Sequence, residues 1–192
     1  RHTRSLCDWS SDVCSSDLSR IFLDQAEQQN RSRPYLRTAF LDVEEDPAKQ
    51  GFADGWFDVV VAANVVHATK DLRRSLANIR RLMSPGGALL LLEASRPNRL
   101  LDMIFGLTNG WWRYEDVELR PHYPLLEPAQ WNALLTTAGF EHTDNCPGPE
   151  GDQAVILARR DDVVAAEKQP VRSEEHTSEL QSHSDLVCRL LL

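Results

Sequence analysis

Two apolar runs on either side of one predicted helix constrain the fold of this chain more than any other feature. The first run, Phe57–Ala63, reads FDVVVAA, and the second, Ala88–Leu92, reads ALLLL. Thr69 is a suitable N-cap for a helix from Lys70 to Met83, and the Pro-Gly-Gly that follows would end that helix. Short, nearly unbroken apolar runs joined by a helix are typical of parallel strands that are buried on both faces. We therefore predict a βαβ unit within an α/β sheet.

One polar side chain follows each of the two predicted strands. His67 comes after the first run and Glu93 after the second. The carboxyl ends of parallel strands open on the same edge of a sheet, where α/β folds place their ligands, so we expect the two side chains to meet there. An imidazole beside a carboxylate is suited to act as a general base and the group that orients it. Each residue also has a non-catalytic interpretation. His67 could be a boundary residue with satisfied hydrogen bonds, and Glu93 could be a solvated or helix-capping residue.

The other elements predicted from the sequence complete an α/β domain with an antiparallel end. A strand over Phe140–Asn145 and another over Gln153–Ala158 are joined by a link rich in Pro and Gly, which is short enough for an antiparallel hairpin. The remaining predicted elements are a helix at 19–29, a strand at 35–43, a short helix at 100–107 and a helix at 128–138 that begins with an N1 proline.

The segment from Arg96 to Tyr123 has no clean helical or strand period. It holds Trp111, Trp112 and Tyr114 among scattered Gly and Pro residues. Long aromatic loops beside strand ends often form lids or substrate walls. Ordinary packing of the aromatic side chains against the domain is an equal alternative.

Both ends of the sequence are expected to be foreign to the protein. One DNA back-translation of Asp8–Leu18 is the reverse complement of a sequence that encodes Arg172–Ser182 in another frame. The pair resembles translated adapters from sequencing libraries, and two natural disordered tails are the alternative. We therefore expect non-native tails at 1–18 and 172–192, a domain at 19–160 and a linker at 161–171. Residues 19–171 would then be a fragment of a longer reading frame.

Composition argues against several classes of function. The chain has 29 acidic and 21 basic residues, a net charge of −8, which disfavours a nucleic-acid-binding surface. Three of the four cysteines lie in the suspected tails, so Cys146 is left as a single thiol, and neither a disulfide nor a metal site is expected. One reduced cysteine, no signal peptide and no apolar run of the ~18 residues that span a membrane predict a cytoplasmic protein without a membrane partner.

Three stretches of the sequence resemble one enzyme family. They are Asn-Val-Val-His-Ala-Thr at 64–69, Leu-Glu-Ala-Ser-Arg-Pro at 92–97 and Gly-Trp-Trp-Arg-Tyr-Glu-Asp at 110–116. Together with the Pro-Gly-Gly at 85–87 and the terminal hairpin, they resemble the second half of a class I S-adenosylmethionine-dependent methyltransferase. Within that family they look most like the carbon methyltransferase domain of modular polyketide synthases. The resemblance covers essentially all of residues 19–171.

The resemblance implies a cofactor, S-adenosylmethionine, and a role for particular residues. His67 would be the base that removes a proton from the substrate α-carbon, and Glu93 would be the carboxylate paired with it. The implied cofactor contacts are Asp42, Val43, Ala63 and Asn64, with Asp42 on the adenine side and Asn64 on the methionine side. The implied substrate contacts are Trp111, Trp112 and Tyr114.

The activity that the resemblance implies is methyl transfer to the α-carbon of a β-ketoacyl chain in polyketide biosynthesis. That acyl chain would be a phosphopantetheine thioester on an acyl carrier protein, within a larger megasynthase. Three alternatives remain: a free-standing small-molecule O- or N-methyltransferase, a dinucleotide oxidoreductase of Rossmann type, and a non-catalytic scaffold domain. The terminal hairpin argues against the oxidoreductase, and the presence of both His67 and Glu93 argues against the scaffold.

The sequence has no counterpart of the family's first two strands or of the Gly-rich loop that cradles the cofactor. The expected fold is therefore a truncated Rossmann-like sheet. In the strand order of the family, those two strands separate the strand at 35–43 from the strand at 57–63. Without them the first strand has no partner and the second is an exposed apolar edge, so we expect weak cofactor binding and aggregation of this chain alone.

Overall fold

The computed structural model describes residues 13–17, 20–33, 36–108, 110–148, 151–161 and 187–191. These residues form the strands β1 (Val13–Asp17), β2 (Leu36–Phe40), β3 (Phe57–Ala63), β4 (Met83–Ala94), β5 (Phe140–Pro147), β6 (Gln153–Arg160) and β7 (Val187–Leu191). The helices are α1 (Arg20–Gln29), α2 (Leu72–Leu82), α3 (Arg99–Ile104) and α4 (Pro128–Thr137), and short 3-10 turns cover Pro47–Gln50 and Val66–Ala68.

The seven strands form one mixed sheet in the order β2-β1-β7-β3-β4-β6-β5. Neighbouring strands from β2 to β4 run parallel, and the two pairs that involve β6 run antiparallel. The predicted α/β class and the antiparallel terminal hairpin are therefore confirmed.

The expectation of a truncated sheet is not met in this structure. β1 and β7 come from the two suspected tails, and they lie side by side between β2 and β3. β2 therefore has a parallel partner in β1, and β3 has β7 beside it, with Val59 opposite Val187. The prediction of an unpaired β2 and an exposed β3 edge was wrong. The backbone makes the ladder hydrogen bonds of a sheet, so an open edge accepts an extended segment of almost any sequence.

The predicted βαβ unit is present, with β3 and β4 as parallel neighbours from Val59 opposite Ala88 to Ala63 opposite Leu92. The buried face of α2 is formed by side chains at helical spacing: Leu72, Leu76, Ile79 and Leu82. The predicted start of this helix was wrong by two residues. Asp71, not Thr69, is the N-cap, because its side chain accepts a hydrogen bond from the Arg74 N–H at 3.1 Å.

Burial of the two central strands alternates along each strand. Val60, Ala62, Leu89 and Leu91 are fully buried, whereas Val61, Leu90 and Leu92 are half-buried. The prediction that both faces of these strands are buried is therefore only partly met among the described residues. The apolar runs nevertheless keep β3 and β4 in the middle of the core, and this fixes the edge where both strands end.

The terminal helix and hairpin form much as the sequence predicts. Pro128 is the first residue of α4, and Gly139 just after the helix adopts the left-handed backbone with φ +84°. Trp131, Leu134 and Leu135 are the buried face of α4. The strands β5 and β6 are longer than predicted, and the short helix α3 ends three residues earlier than predicted.

Gly87 sits where the backbone of β4 passes close to that of β3. A Cβ at this position would lie 2.9 Å from the Ser84 carbonyl oxygen and 3.0 Å from that of Asp58. Both contacts are with backbone atoms, which cannot rotate away. We expect Gly87→Ala to lower the free energy of unfolding by about 1–3 kcal/mol, measured by urea denaturation.

Gly110→Ala is the matched control for this substitution, because nothing lies within 4 Å of the position of its added Cβ. Equal denaturation midpoints for the two variants would contradict the crowding argument at Gly87.

Within the described residues, no helix combines the length and apolar character that crossing a membrane requires. Cys146 is an exposed free thiol. The predicted linker at 161–171 lies outside the described residues apart from Asp161, as do most of the suspected tails.

Candidate active site

His67 and Glu93 meet at the edge of the sheet where β3 and β4 end. His67 lies in the 3-10 turn Val66–Ala68 that follows β3, and Glu93 is near the end of β4. The imidazole Nδ1 lies 2.5 Å from Glu93 Oε2. Glu93 is 0% exposed and His67 is 9% exposed. The proximity predicted from the sequence is therefore confirmed.

Both carboxylate oxygens of Glu93 contact the turn that carries His67. Oε1 accepts a hydrogen bond from the Val66 N–H at 3.0 Å, while Oε2 faces His67 Nδ1. A buried carboxylate is stable only when it is hydrogen-bonded, and an ionised carboxylate can only accept. With Glu93 ionised and the imidazole neutral, the proton of the contact with Oε2 lies on Nδ1 and the lone pair lies on Nε2, which is the arrangement that a general base requires.

Asn64 joins the ends of β3 and β4 next to this pair. Its N–H donates to the Leu92 carbonyl at 2.7 Å, and its Oδ1 accepts from the Ala94 N–H at 3.2 Å. Asn64 has a left-handed backbone, with φ +53°, a conformation that Asn adopts more readily than most residues. The chain therefore turns sharply between β3 and the His67 turn. Ala63 is half-buried as the last residue of β3.

Asp42 and Val43 lie just after β2 in a tightly hydrogen-bonded loop. The Asp42 carboxylate accepts from the Glu44 N–H at 2.9 Å, and Gln50 bonds both the Asp42 N–H and the Asp42 carbonyl. Val43 is buried, and its carbonyl accepts from Asn78 Nδ2 at 2.9 Å. This loop is thus held rigidly at the same edge of the sheet as Asn64.

The spacing of these two loops fits the cofactor that the resemblance implies. β2 and β3 are separated by β1 and β7, so three strand spacings lie between them. At about 4.8 Å per spacing this is roughly 14 Å, a distance that an adenosine joined to an amino acid can span along the strand ends. The polar side chains of Asp42 and Asn64 stand at the two ends of this span.

Trp111 is the residue of the aromatic segment that reaches the pair. Its ring packs edge-on against His67 with centroids 5.9 Å apart, and it stacks on Phe105 at 5.7 Å. Trp112 is 46% exposed and donates from Nε1 to the Gly106 carbonyl at 2.9 Å. Tyr114 instead lies against Arg120, whose guanidinium carbon is 4.8 Å from the centre of the ring. Of the three predicted substrate residues, only Trp111 is in contact with His67 among the described contacts.

Tyr123, which was not among the predicted site residues, lies beside both tryptophans. Its ring lies edge-on to both Trp111 and Trp112. Its hydroxyl donates to Asp102 Oδ1 at 2.6 Å. Burial, together with this hydrogen bond to the Asp102 carboxylate, raises the pKa of Tyr123 to about 12. The phenol therefore stays protonated at neutral pH and anchors the aromatic segment to α3.

Arg120 is a buried residue of this site that sequence reasoning missed. It is 1% exposed, and its guanidinium donates to the carbonyls of His67, Thr69 and Lys70. Burial lowers the pKa of Arg120, and the neighbouring Asp116 carboxylate opposes that shift. The spacing of four residues between Asp116 and Arg120 was the one signal in the sequence that could have suggested an ion pair.

One other group of titratable side chains lies together near the ends of β5 and β6. Ligand-type atoms of Glu141, His142 and Asp161 lie within 4.8 Å of one another. A hydrogen bond with Asp161 raises the pKa of Glu141. Glu141 and His142 are exposed, and acidic groups on a surface commonly gather in this way without an ion.

A comparison with known families finds the one described as "Methyltransferase domain" over residues 3–89. Among curated proteins, the chain is 36% identical over 180 residues to "Polyketide synthase PksR" of Bacillus subtilis (strain 168), covering 91% of this chain and 7% of that protein. It is 47% identical over 100 residues to "Lovastatin diketide synthase lovF" of Aspergillus terreus, covering 52% of this chain and 4% of that protein. The chain thus spans a small part of the curated relatives that it matches.

Solved structures match at the level of the fold and of the sequence. The CurJ carbon methyltransferase superposes with a TM-score of 0.74 at 34% identity, covering 81% of this chain and 50% of that chain. The trans-methyltransferase CalH, in complex with SAH, superposes with a TM-score of 0.71 at 35% identity, covering 78% of this chain and 42% of that chain. The chain therefore spans about half the length, or less, of these two structures.

Proposed function

Because the chain belongs to the class I S-adenosylmethionine-dependent methyltransferases and is similar to the carbon methyltransferase domains of polyketide synthases, we propose that it methylates carbon. The proposed substrate is the α-carbon of a β-ketoacyl thioester carried by the phosphopantetheine of an acyl carrier protein. The observation that carries this proposal is the buried contact between His67 Nδ1 and Glu93 Oε2 at the end of β3 and β4. Carbon methylation requires a base, and we assign that role to the imidazole of this contact.

His67 acts as the base in this proposal. A C–H bond between a ketone and a thioester carbonyl is acidic enough for a neutral imidazole to remove its proton. Nε2 of His67 takes the proton, and Glu93 stabilises the imidazolium that forms because Oε2 lies against Nδ1–H. The electron pair of the broken C–H bond stays on the α-carbon as an enolate.

Asp42, Val43, Ala63 and Asn64 would hold S-adenosylmethionine along the strand ends, with Asp42 on the adenine side and Asn64 on the methionine side. When bound, the cofactor supplies a sulfonium methyl group to the α-carbon. This sequence has no counterpart of the Gly-rich loop that cradles the cofactor in the family, so we propose that this chain holds the cofactor weakly.

Trp111, Trp112 and Tyr114 belong to the segment that we propose as the substrate entrance. Trp111 closes one side of the imidazole. Trp112 is largely exposed, as a residue at the mouth of a site would be. The carrier protein and the other domains of a megasynthase are the proposed partners, in line with the polyketide synthases among the relatives.

The direct test of this function separates the base from the cofactor. Incubated in D₂O with a β-ketoacyl thioester of pantetheine and no S-adenosylmethionine, the chain is expected to speed α-deuterium incorporation by about 10²–10⁴-fold over buffer. Mass spectrometry of the recovered thioester measures the exchange. An α,α-dimethyl β-ketoacyl thioester, which has no α-hydrogen, is the chemical control.

Adding S-adenosylmethionine to the same mixture tests the methyl transfer itself. The expected product carries the new methyl group on carbon, as NMR of the isolated thioester would establish. Methylation at oxygen or nitrogen with no α-exchange would instead favour a small-molecule O- or N-methyltransferase. Exchange at the buffer rate together with no methylation would favour the scaffold domain.

A further inference from the structure

The short turn that carries His67 is held by opposite charges at its two ends. At its N-terminal end, the Val66 N–H donates to Glu93 Oε1. At its C-terminal end, the carbonyls of His67, Thr69 and Lys70 all face the guanidinium of Arg120. Negative charge at the start of a helical turn and positive charge at its end both stabilise the turn.

Arg120 makes three hydrogen bonds to this segment, and its Nε donates to Asp116. Nη1 donates to the His67 carbonyl at 2.7 Å, and Nη2 donates to the Thr69 carbonyl at 2.9 Å and the Lys70 carbonyl at 3.1 Å. Arg120 is 1% exposed, so water cannot readily replace these donors. Removing the guanidinium would take away the described donor of the buried His67 and Thr69 carbonyls, whereas the Lys70 carbonyl would keep the Glu115 N–H. The turn would have to move to satisfy the two buried carbonyls.

Asp116 holds Arg120 in place and is itself satisfied. Its Oδ1 lies 2.5 Å from Arg120 Nε, and its Oδ2 accepts from the Leu72 N–H at 2.9 Å. A buried ion pair requires such a complete set of hydrogen bonds, because the loss of solvation is costly. Asp71 caps α2 by accepting from the Arg74 N–H, and Asp116 accepts from the Leu72 N–H at the start of the same helix. The pair therefore links the first residue of α2 to the His67 turn.

We propose that Arg120, held by Asp116, is a positioning residue that fixes the backbone of His67 so that its Nδ1 stays against Glu93. The proposal rests on the proposed function in one respect, which is that His67 is the base. Arg120 touches neither substrate nor cofactor in this role. A guanidinium is suited to it because its planar fork holds five N–H donors in a fixed geometry, whereas an ammonium group has three donors at one point.

The test is a proton NMR measurement of the hydrogen bond between His67 and Glu93 in the full chain. A short N–H···O contact to a carboxylate gives a resonance far downfield of the backbone amides, and His67→Ala identifies it by its loss. Arg120→Met is expected to abolish this resonance, and Arg120→Lys is expected to restore it only in part. Arg81→Met is the control, since Arg81 is likewise an ion-paired arginine, bonded to Asp46 and Asp54, and its loss is expected to leave the resonance unchanged.

The same variants are expected to separate positioning from binding in the α-deuterium exchange assay. Arg120→Met should lower kcat by about 10²-fold while KM changes by less than about twofold, because a displaced base costs rate and not substrate affinity. Should the wild-type chain show no exchange at all, the proposed function fails. The downfield resonance still decides the positioning role in that case.

An unchanged downfield resonance in folded Arg120→Met would overturn the proposal. Circular dichroism monitors folding of each variant. If Arg120→Met does not fold, Arg120→Lys decides, because it keeps the buried positive charge beside Asp116. In that case, a resonance of wild-type strength in Arg120→Lys would contradict the proposal that a guanidinium is needed. A weakened or absent resonance would support the proposal.

Discussion

Glu93→Gln is expected to slow α-proton exchange by about 10²–10³-fold, towards the buffer rate, although Glu93 does not touch the substrate in the proposed mechanism. The glutamine amide has nearly the shape of the carboxylate, and its oxygen can still accept from the Val66 N–H. Its NH₂ group must then face His67 Nδ1, and there it can only donate. The imidazole proton is forced onto Nε2, the nitrogen that has to receive the substrate proton. The base is therefore present but in the wrong tautomer.

His67→Ala is expected to reduce the exchange rate by a similar factor, and the double variant by no more than either single one. Residues that act as one unit show such non-additive losses. Initial rates of deuterium incorporation measure all three variants. Glu115→Gln is the control, since Glu115 is an exposed carboxylate that lies 3.6 Å from Lys70 and makes no described contact with His67. A Glu93→Gln rate within about tenfold of the wild-type rate would exclude the proposed orienting role.

The pairing of His67 with Glu93 was accessible from the sequence because it depends on a rule of sheet geometry. Each residue follows an apolar strand, and one helix joins the two strands, so both residues had to reach the same edge. Twenty-six residues separate them along the chain, yet their side chains come within 2.5 Å. No knowledge of side-chain packing was needed for this step.

The residues around the His67–Glu93 pair could not be predicted from the sequence by the same rule. Arg120 lies 53 residues from His67 in the sequence, and their contact runs through a backbone carbonyl, which leaves no pattern in the side chains. Tyr114 and Tyr123 are both tyrosines in one irregular segment, so the sequence does not distinguish them. Only the tertiary structure shows that Tyr123 is the one that contacts the tryptophans. Loops without a period carry little information about which of their side chains turn inward.

Strand pairing near the ends of the chain escaped prediction for a different reason. The sequence predicted which runs are apolar, but β1 and β7 bond to the sheet through their backbones. Backbone groups are the same in nearly every residue, so composition cannot reveal where they pair. The pairing of β3 with β4 and of β5 with β6, in contrast, follows from apolar runs, one connecting helix and a Pro-Gly-rich link.

Trp131→Ala is expected to have the largest effect on stability, a loss of about 3–5 kcal/mol in the free energy of unfolding. Trp131 is 0% exposed in the middle of α4, in the same core as Leu134 and Leu135. Domains of this size have total stabilities of about 5–15 kcal/mol, so the variant would lose a large share of its stability. Urea denaturation followed by circular dichroism measures the loss as a shift of the midpoint by roughly 1–3 M.

Trp131→Phe separates the volume of the side chain from its polar atom. Among the described residues, the Trp131 Nε1 atom is buried without a hydrogen-bond partner, and such an atom costs about 1–3 kcal/mol. Phenylalanine removes the unsatisfied N–H, which raises the stability, but its smaller ring fills less of the core, which lowers it. The two changes partly offset each other. We expect Trp131→Phe to change the stability by less than about 1.5 kcal/mol. A loss as large as that of Trp131→Ala would mean that the indole N–H has a partner, and that α4 is held to the sheet by a hydrogen bond as well as by packing.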